Sequence, residues 1–395
     1  MQSNKKPRVL LIVENNPYPQ DIRVYQEAQA LKENNYSVSV ICPAKKDQRR
    51  REHIEGIHVF RYPISPVPNN YLGYFMEYGW ALIAILFTSL LVWISPGFDI
   101  VHIANPPDIL ILIGIIYKAF GKRLIYDHHD LVPELFQARF AGKSPHILHT
   151  ILTIFEGLSC QYANHIITVN ESHKALEIQR CGVKAEKITV VRNGPQKFLG
   201  QAEPMPDIRI DEKITLVYAG IIGFQDGVDH LLHALRYIVY DLGREDFHCV
   251  IVGDGDALPY IKSLTTELKL DQYVTMTGWL EHAVVARYLR SADICVAPEP
   301  ANPYNIRITA IKIMEYMAAG KPIVAFDLPE HRVSAGKGAV YAHPNDDEDF
   351  ARYIIALMDD PDQRRTMGQY NIKRIKEELA WEHQAKLLIK AYEKL

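Results

Sequence analysis

The chain has 395 residues, 48% of them hydrophobic and 23% charged, with a net charge of −3. That length exceeds one ordinary core and predicts about two to three domains, and the absence of any low-complexity tract excludes an extended disordered protein. The net charge hides an asymmetry, because residues 1–199 hold 22 Lys/Arg against 17 Asp/Glu and the remainder holds 22 against 30. A basic first half suits an anionic surface or ligand, or is simply solvated surface; with no zinc spacing and no arginine–aromatic stripe, nucleic acid is not expected. The five cysteines are scattered and form no CxxC pair, so they read as small buried hydrophobes of a reduced, cytoplasmic chain. Met1–Lys6 leads directly into an apolar strand, so no secretory leader is expected.

In chain order, short apolar runs at Val9–Val13, Ser37–Cys42, Val59–Tyr62, Ile100–Ile103, Arg123–Asp127 and His165–Val169 predict buried parallel strands. Helical segments alternate with them, among them Arg23–Glu33, where Val24, Ala28 and Leu31 share a face. One stretch departs from the rhythm. Between Tyr78 and Phe98 there is no charged residue, and Trp80–Ile94 is almost wholly apolar. A membrane span needs about twenty such residues, so three readings stay open: a span, a buried core helix, or a helix lying in a membrane interface. Trp80 and Trp93 at its ends and the basic runs at 45–51, Lys118 and Lys122-Arg123 suit the last.

The pattern restarts at Ile214–Ala219 and continues with Cys249–Val252, Val274–Thr277, Ile294–Ala297, Ile323–Phe326 and Ala339–Tyr341. This predicts an N-terminal domain over 1–195, a polar linker at 196–213, a second domain over 214–375, and a C-terminal helix over 376–395. Ala385, Leu388, Ile389 and Tyr392 should lay that helix back on the first domain. Two such βαβ domains predict a ligand cleft between them. The Pro/Asn-rich loop and short helix at 293–320 deliver Glu315 between two strands, where open α/β sheets bind nucleotides.

Several motifs are family-like in their order and spacing. They are Pro19-Gln-Asp21-Ile-Arg23, Asp99-Ile-Val-His102, Tyr126-Asp-His128-His129-Asp130, Val191-Arg-Asn193-Gly194-Pro195, Val252-Gly253-Asp-Gly255, Thr277-Gly278-Trp279 and the 293–320 stretch. Together they resemble glycosyltransferase family 4, in the branch that builds bacterial surface polysaccharides, over nearly the whole chain. The resemblance implies the GT-B architecture of two Rossmann-like doubly wound domains facing across a cleft. It also implies a retaining, metal-independent transferase with no cofactor, taking a nucleotide-sugar donor (a UDP-sugar) on the C-terminal domain. A lipid-linked or growing saccharide would be the acceptor on the N-terminal domain, at the inner face of the plasma membrane. Non-catalytic nucleotide-sugar binding, epimerase and phosphorylase activities on the same fold are the alternatives.

The resemblance also implies roles. Glu315 would hold the donor ribose and His129 would lie near the transferred sugar. Asp21, Arg23, His102 and His128 would face the acceptor, and Asn193 would shape the hinge turn. Gly220, Gly223, Gly227, Gly253, Gly278 and Trp279 would border the donor. The family's usual pattern is broken in two places. Where it has a first glutamate, seven residues before the second, this chain has Arg307; where it has an Arg and a Lys in the glycine loop, this chain has Ile221 and Asp226. The expectation is a relocation of charge, with Arg307 and Lys312 meeting the diphosphate. Asp226 would pair with Arg307 in the empty site or orient the sugar, and Thr309 would cap the helix. Bland readings stand beside these: a surface arginine on a drifted loop, a solvated helix glutamate, structural histidines and simple helix caps. Asp254-Gly-Asp256 sits in a glycine turn and is read as no metal site, and Asp346–Asp349 as a helix N-terminus.

Overall fold

The computed structural model describes residues 6–45, 48–64, 71–139, 146–195, 202–205 and 213–395. Among the described residues, fourteen strands follow in chain order. The first eight are β1 Arg8–Ile12, β2 Ser37–Pro43, β3 Arg51–Ile54, β4 Ile57–Tyr62, β5 Ile100–Ala104, β6 Arg123–His128, β7 His165–Thr168 and β8 Ile188–Val190. The other six are β9 Ile214–Ala219, β10 Phe247–Val252, β11 Val274–Gly278, β12 Ile294–Ala297, β13 Ile323–Phe326 and β14 Ala339–Ala342. They build two sheets, in the orders β3-β4-β2-β1-β5-β6-β7-β8 and β11-β10-β9-β12-β13-β14. Every pair is parallel except β3 with β4. Helices connect the parallel strands, so each half is a Rossmann-like doubly wound unit.

The chain divides into two compact units. One takes Met1–Phe136, Lys143–Arg192 and Glu382–Leu395; the other takes Gln137–Gly142 and Asn193–Trp381. Most of the expected linker, at 196–201 and 206–212, lies outside the described residues. The last helix, Trp381–Glu393, buries Gln384, Leu388, Ala391 and Tyr392. Its inward face is therefore one step round from the expected stripe, because Gln384 Oε1 accepts the Arg192 N–H and draws that side inward.

Two strands, β3 and the short β8, were not among the expected runs. Arg51–Ile54 reads as the end of a basic loop but forms a hairpin with β4, since Glu55 (φ 47°) and Gly56 (φ 85°) supply the two left-handed residues of a tight turn. All five cysteines are buried and unpaired.

The apolar stretch forms the C-terminal part of a 24-residue helix, Tyr71–Ile94. One of its faces, with Ala81, Ile85, Ser89 and Val92, is fully buried against the first sheet's core. The opposite face leaves Met76, Trp80, Ile83, Phe87, Leu90, Leu91 and Ile94 exposed, Phe87 by 65% and Ile94 by 84%. A helix apolar all round but buried on one side only has a second face without a protein partner among the described residues.

Candidate functional site

In the second sheet the chain runs outward from β9 through β10 to β11, then returns to the other side of β9 for β12 through β14. The reversal lies between β9 and β12, and the loops leaving their C-terminal ends border the position where such sheets take ligands. These loops are 220–227 and 298–310. Gly227 lets them meet, and Gly253 lets the turn after β10 approach the first of them. A Cβ on Gly227 (φ 70°) would lie 2.1 Å from the Pro298 carbonyl oxygen, and one on Gly253 (φ 147°) 1.8 Å from that of Gly220. Gly223 N–H donates to Asp226 Oδ2 (3.2 Å), which folds the glycine loop onto its own acid. Gly278 closes β11 with φ 74°, and Trp279 beyond it is 70% exposed.

The helices entered from these loops, Val228–Arg236 and Ile311–Ala318, begin at Gly227 and Ala310 and have no capping side chain. Elsewhere Asp21, Asn170, Asp346 and Asp360 cap their helices. Two helix N-termini with open N–H groups at one switch point form a ready anion site. Thr309 is therefore not the expected cap. Its backbone lies one residue too early, and its hydroxyl is buried and bonded to Glu330 Oε2 at 3.4 Å.

Lys312 is the centre of this region. Its Nζ lies 2.8 Å from Glu299 Oε1, 3.1 Å from Asp226 Oδ1 and 3.0 Å from Tyr218 Oη, and 4.6 Å from the Tyr218 ring centre. Gly220 exists beneath it because a Cβ there would come within 2.9 Å of Lys312 Cε. Burial works against the ammonium, yet Glu299 and Asp226 outweigh it and hold its pKa well above the ordinary lysine value. The same contact keeps Glu299 below the usual glutamate value despite burial, whereas burial still lifts Asp226. His331 stays neutral, since burial lowers it, and its Nδ1 donates to the Phe326 carbonyl (3.0 Å) while Nε2 faces Glu299 at 4.0 Å.

The expected pairing of Asp226 with Arg307 is therefore corrected: Lys312 takes Asp226, because it reaches the acid from inside the helix while Arg307 is on the loop. Arg307 donates through Nη1 to the Pro303 carbonyl at 2.7 Å. Lys312 is also not a free phosphate cation, being committed to two carboxylates. Glu315, one turn along the same helix, is pushed up to about 7 by burial, with Lys312 pulling weakly the other way.

In the first unit the corresponding groups cluster around Asp127 at the end of β6. Arg23 grips it with Nε at 2.8 Å and Nη2 at 2.6 Å, and donates also to the Val191 carbonyl. His129 Nδ1 lies 3.3 Å from Asp127 Oδ2, with 15% of its side chain exposed. Burial disfavours its charged form, but the Asp127 hydrogen bond and charge raise the His129 pKa overall. Asn105 sets the following turn by accepting the N–H groups of His129 and Asp130 at 2.8 and 3.1 Å. Asp127 thus orients His129, leaving Nε2 as its other ring nitrogen.

The remaining first-unit residues are placed differently from expectation. Asp21 caps the first helix by accepting Val24 N–H at 3.0 Å. Arg23 is buried and fully engaged. His102 is 1% exposed, with Nδ1 2.7 Å from Tyr392 Oη. His128 is fully buried, 2.8 Å from Glu177 Oε1, and its pKa rises to about 10: burial opposes the imidazolium, but Glu177 and Glu156 favour it. Neither histidine can meet an acceptor from inside the core. Side chains of alternate strand residues point to opposite faces, and the last strand residues are still within the sheet. Glu27, His102 and Asp127 lie close enough for a metal ion, but the Arg23 guanidinium already sits there as the cation.

Sequence reading passed over Asp127 and Glu299. The signal for Glu299 was present: Pro298-Glu-Pro300 leaves the last switch-point strand directly.

A family model described as Glycosyltransferase Family 4 matches residues 20–195, and one described as Glycosyl transferases group 1 matches residues 213–360. An uncharacterised glycosyltransferase of Methanocaldococcus jannaschii is 25% identical over 253 residues, 60% of this chain and 62% of that protein's length. The chitobiosyldiphosphodolichol beta-mannosyltransferase of Candida albicans is 22% identical over 327 residues, 78% of this chain and 70% of its own. Among solved structures, Anabaena Alr3699/HepE in complex with UDP-glucose superposes with a TM-score of 0.72 at 16% identity, covering 98% of this chain and all (100%) of that one. That likeness shows the fold.

Proposed function

We propose, from the premise that this chain belongs to the glycosyltransferases of family 4, that it moves a sugar from a UDP-sugar to a lipid-linked or growing saccharide in polysaccharide biosynthesis, with retention at the anomeric carbon. The observation that carries this reading is the pair of uncapped helix N-termini flanking Glu315 at the switch point of the second unit. UDP-glucose in the HepE structure and the dolichol-linked name of the Candida relative favour the donor and acceptor classes. Transferase names among the relatives favour catalysis over a binding scaffold.

In the proposed reaction the acceptor hydroxyl oxygen bonds to the anomeric carbon as the bond to the phosphate oxygen breaks. The acceptor proton goes to that phosphate oxygen, so no protein base and no metal is required of the mechanism. Negative charge grows on the leaving diphosphate, and the open N–H groups of Val228–Arg236 and Ile311–Ala318 are placed to meet it without reorganisation. Arg307 adds a charged fork from the loop. Glu315 accepts from the ribose hydroxyls, and His129, oriented by Asp127, hydrogen-bonds the transferred sugar. A thermal-shift screen of nucleoside diphosphates and their sugars should show stabilisation by UDP and a UDP-sugar, by RT ln(1 + [L]/Kd). Stabilisation by none of them would overturn the reading, and anomer-resolved NMR of the product tests retention.

Arg307→Ala separates the two readings of that residue. With Arg307 on the diphosphate, UDP affinity should fall roughly tenfold, the loss of one charge-assisted contact, with the unfolding midpoint unchanged. Wild-type affinity would leave Arg307 as a surface residue.

We also propose that the enzyme works at the cytoplasmic face of a membrane, through the 75–95 helix and the basic loop 45–51. By length and composition Met76–Ile94 could cross a bilayer. The buried stripe Ala81-Ile85-Val92 argues instead for a helix lying in the interface, since a helix packed on its own domain cannot be surrounded by lipid. Within the basic loop, residues 46 and 47 lie outside the described residues, Arg49 and Arg50 are exposed, and Arg51 packs 5.6 Å from the Phe60 ring centre.

A further inference from the structure

In a parallel sheet all strands begin on one edge, so the residues that start them are brought together however far apart they lie in sequence. In the first unit this entry edge carries Arg8 at β1, Lys122 and Arg123 at β6, His165 at β7 and Lys187 at β8. Arg8 is paired with Asp99 (2.8 Å). Next to β7 and β8 lies an open depression of about 610 Å³, whose lining includes Gln161, His165, Lys184, Glu186, Lys187 and Lys394. Three lysines face one glutamate there, and Lys118 stands close enough to Lys187 to act on its charge.

The apolar helices end at the same place. Lys118 Nζ donates to the Tyr162 carbonyl (2.6 Å), and Lys187 Nζ to those of Cys160 and Gln161 (2.7 and 2.9 Å). Those carbonyls form the C-terminus of helix His146–Tyr162, whose Ile147, Ile154 and Tyr162 are exposed by 71%, 55% and 43%. Helix Ile111–Ala119 adds exposed Leu112, Ile116 and, just beyond its end, Phe120, which packs on Trp93 of the Tyr71–Ile94 helix (5.1 Å between rings). One apolar face thus runs over three helices and stops at a lysine-lined depression.

We propose that this depression takes the phosphate headgroup of an anionic lipid whose chains lie against the adjoining three-helix face. The proposal rests on the interfacial reading above and adds to it a site with a charge requirement. Lipid, rather than free phosphate, is the occupant that explains why exposed apolar side chains and lysines share this border: each supplies one half of an amphipathic ligand. His165 records the unbalanced charge. Burial first, then Lys394 and Lys187, push its pKa down to about 4, although Nε2 keeps a hydrogen bond to Thr189 Oγ1 at 2.7 Å.

The test is co-sedimentation of the full chain with phosphatidylcholine vesicles, with and without phosphatidylglycerol. Wild type should bind the anionic vesicles at least roughly tenfold more tightly. Lys184→Glu combined with Lys394→Glu, both exposed positions, should cut that preference at least roughly fivefold, the basic loop 45–51 keeping its own share, while leaving binding to neutral vesicles and the unfolding midpoint unchanged. Phe87→Ser should weaken binding to both kinds of vesicle. Equal binding of wild type to both vesicle types, or a double variant that keeps the full preference, would overturn the headgroup site and leave the apolar face standing. No binding to either would overturn both. Inorganic phosphate at millimolar concentration should not displace the protein from the vesicles; displacement would mean that a free anion is the true occupant.

Discussion

Replacing Lys312 by methionine is expected to cost about 3–5 kcal/mol of stability, the penalty for stranding a buried charge. The side chain is the one cation, among the described residues, between Glu299 and Asp226, at 2.8 and 3.1 Å. Methionine keeps the volume against Tyr218 but leaves two carboxylates facing one another. The dependence on pH has a definite sign. Glu299 is held below the usual glutamate value by Lys312, so its pairing stabilises above the unfolded glutamate pKa and is lost as pH falls. Urea unfolding at pH 8 should show the full deficit, and at pH 5 a smaller one as the stranded acids protonate. An unchanged difference between the two pH values would mean that lost packing, not stranded charge, is the cause. A cation in the first turn of a helix also opposes the helix dipole. The two carboxylates offset that cost, and Lys312 holds Asp226, and through it the glycine loop, in place.

Glu315→Gln is expected to act in opposite directions on stability and on activity. Burial lifts this carboxyl to about 7, so the folded state holds its proton more tightly than the unfolded chain. Its ionisation therefore weakens the empty protein as pH rises from the unfolded value through 7, and the effect is relieved as pH falls. The neutral amide removes that burden: at pH 8 the variant without ligand should unfold at higher temperature than wild type, and at pH 5 the two should converge. Transfer should nevertheless fall by roughly 100-fold or more. On the proposed ribose contact, two charge-assisted bonds would be lost, each worth about 1.5–3 kcal/mol, and stabilisation by UDP should fall with them. A variant as active as wild type would remove Glu315 from the donor site. One that is inactive yet still fully stabilised by UDP would move its role from the ribose to the chemistry.

The strands of both sheets were readable because strands buried on both faces must be apolar throughout, and Ile214–Ala219 or Ile323–Phe326 admits little else. β3 escaped because an edge strand with one neighbour can be polar, and Arg51-Glu-His-Ile is. Glu315 was legible through its place in a loop–helix pattern. The partners of the charged residues were not. Lys312 and Glu299 are thirteen residues apart and Arg23 and Asp127 are 104 apart, separations at which spacing carries no information on contact. His128 resembled a site histidine because it ends β6, and His102 because it lies near the end of β5, but one residue more or less along a strand decides between core and surface. His129 was distinguished from His128 by that step alone.

The sequence by itself determined the two Rossmann-like halves, the family, and the apolar character of the 78–98 segment, since each is written in local periodicity or in the order of motifs. Only the tertiary structure decided that Lys312 rather than Arg307 holds Asp226, that Asp127 orients His129, and that one face of the Tyr71–Ile94 helix is left uncovered by the described residues. The physical reason is the same in each case. Burial and charge pairing are properties of what surrounds a residue, and in a parallel sheet those surroundings come from segments whose distance along the chain is unrelated to their distance in space.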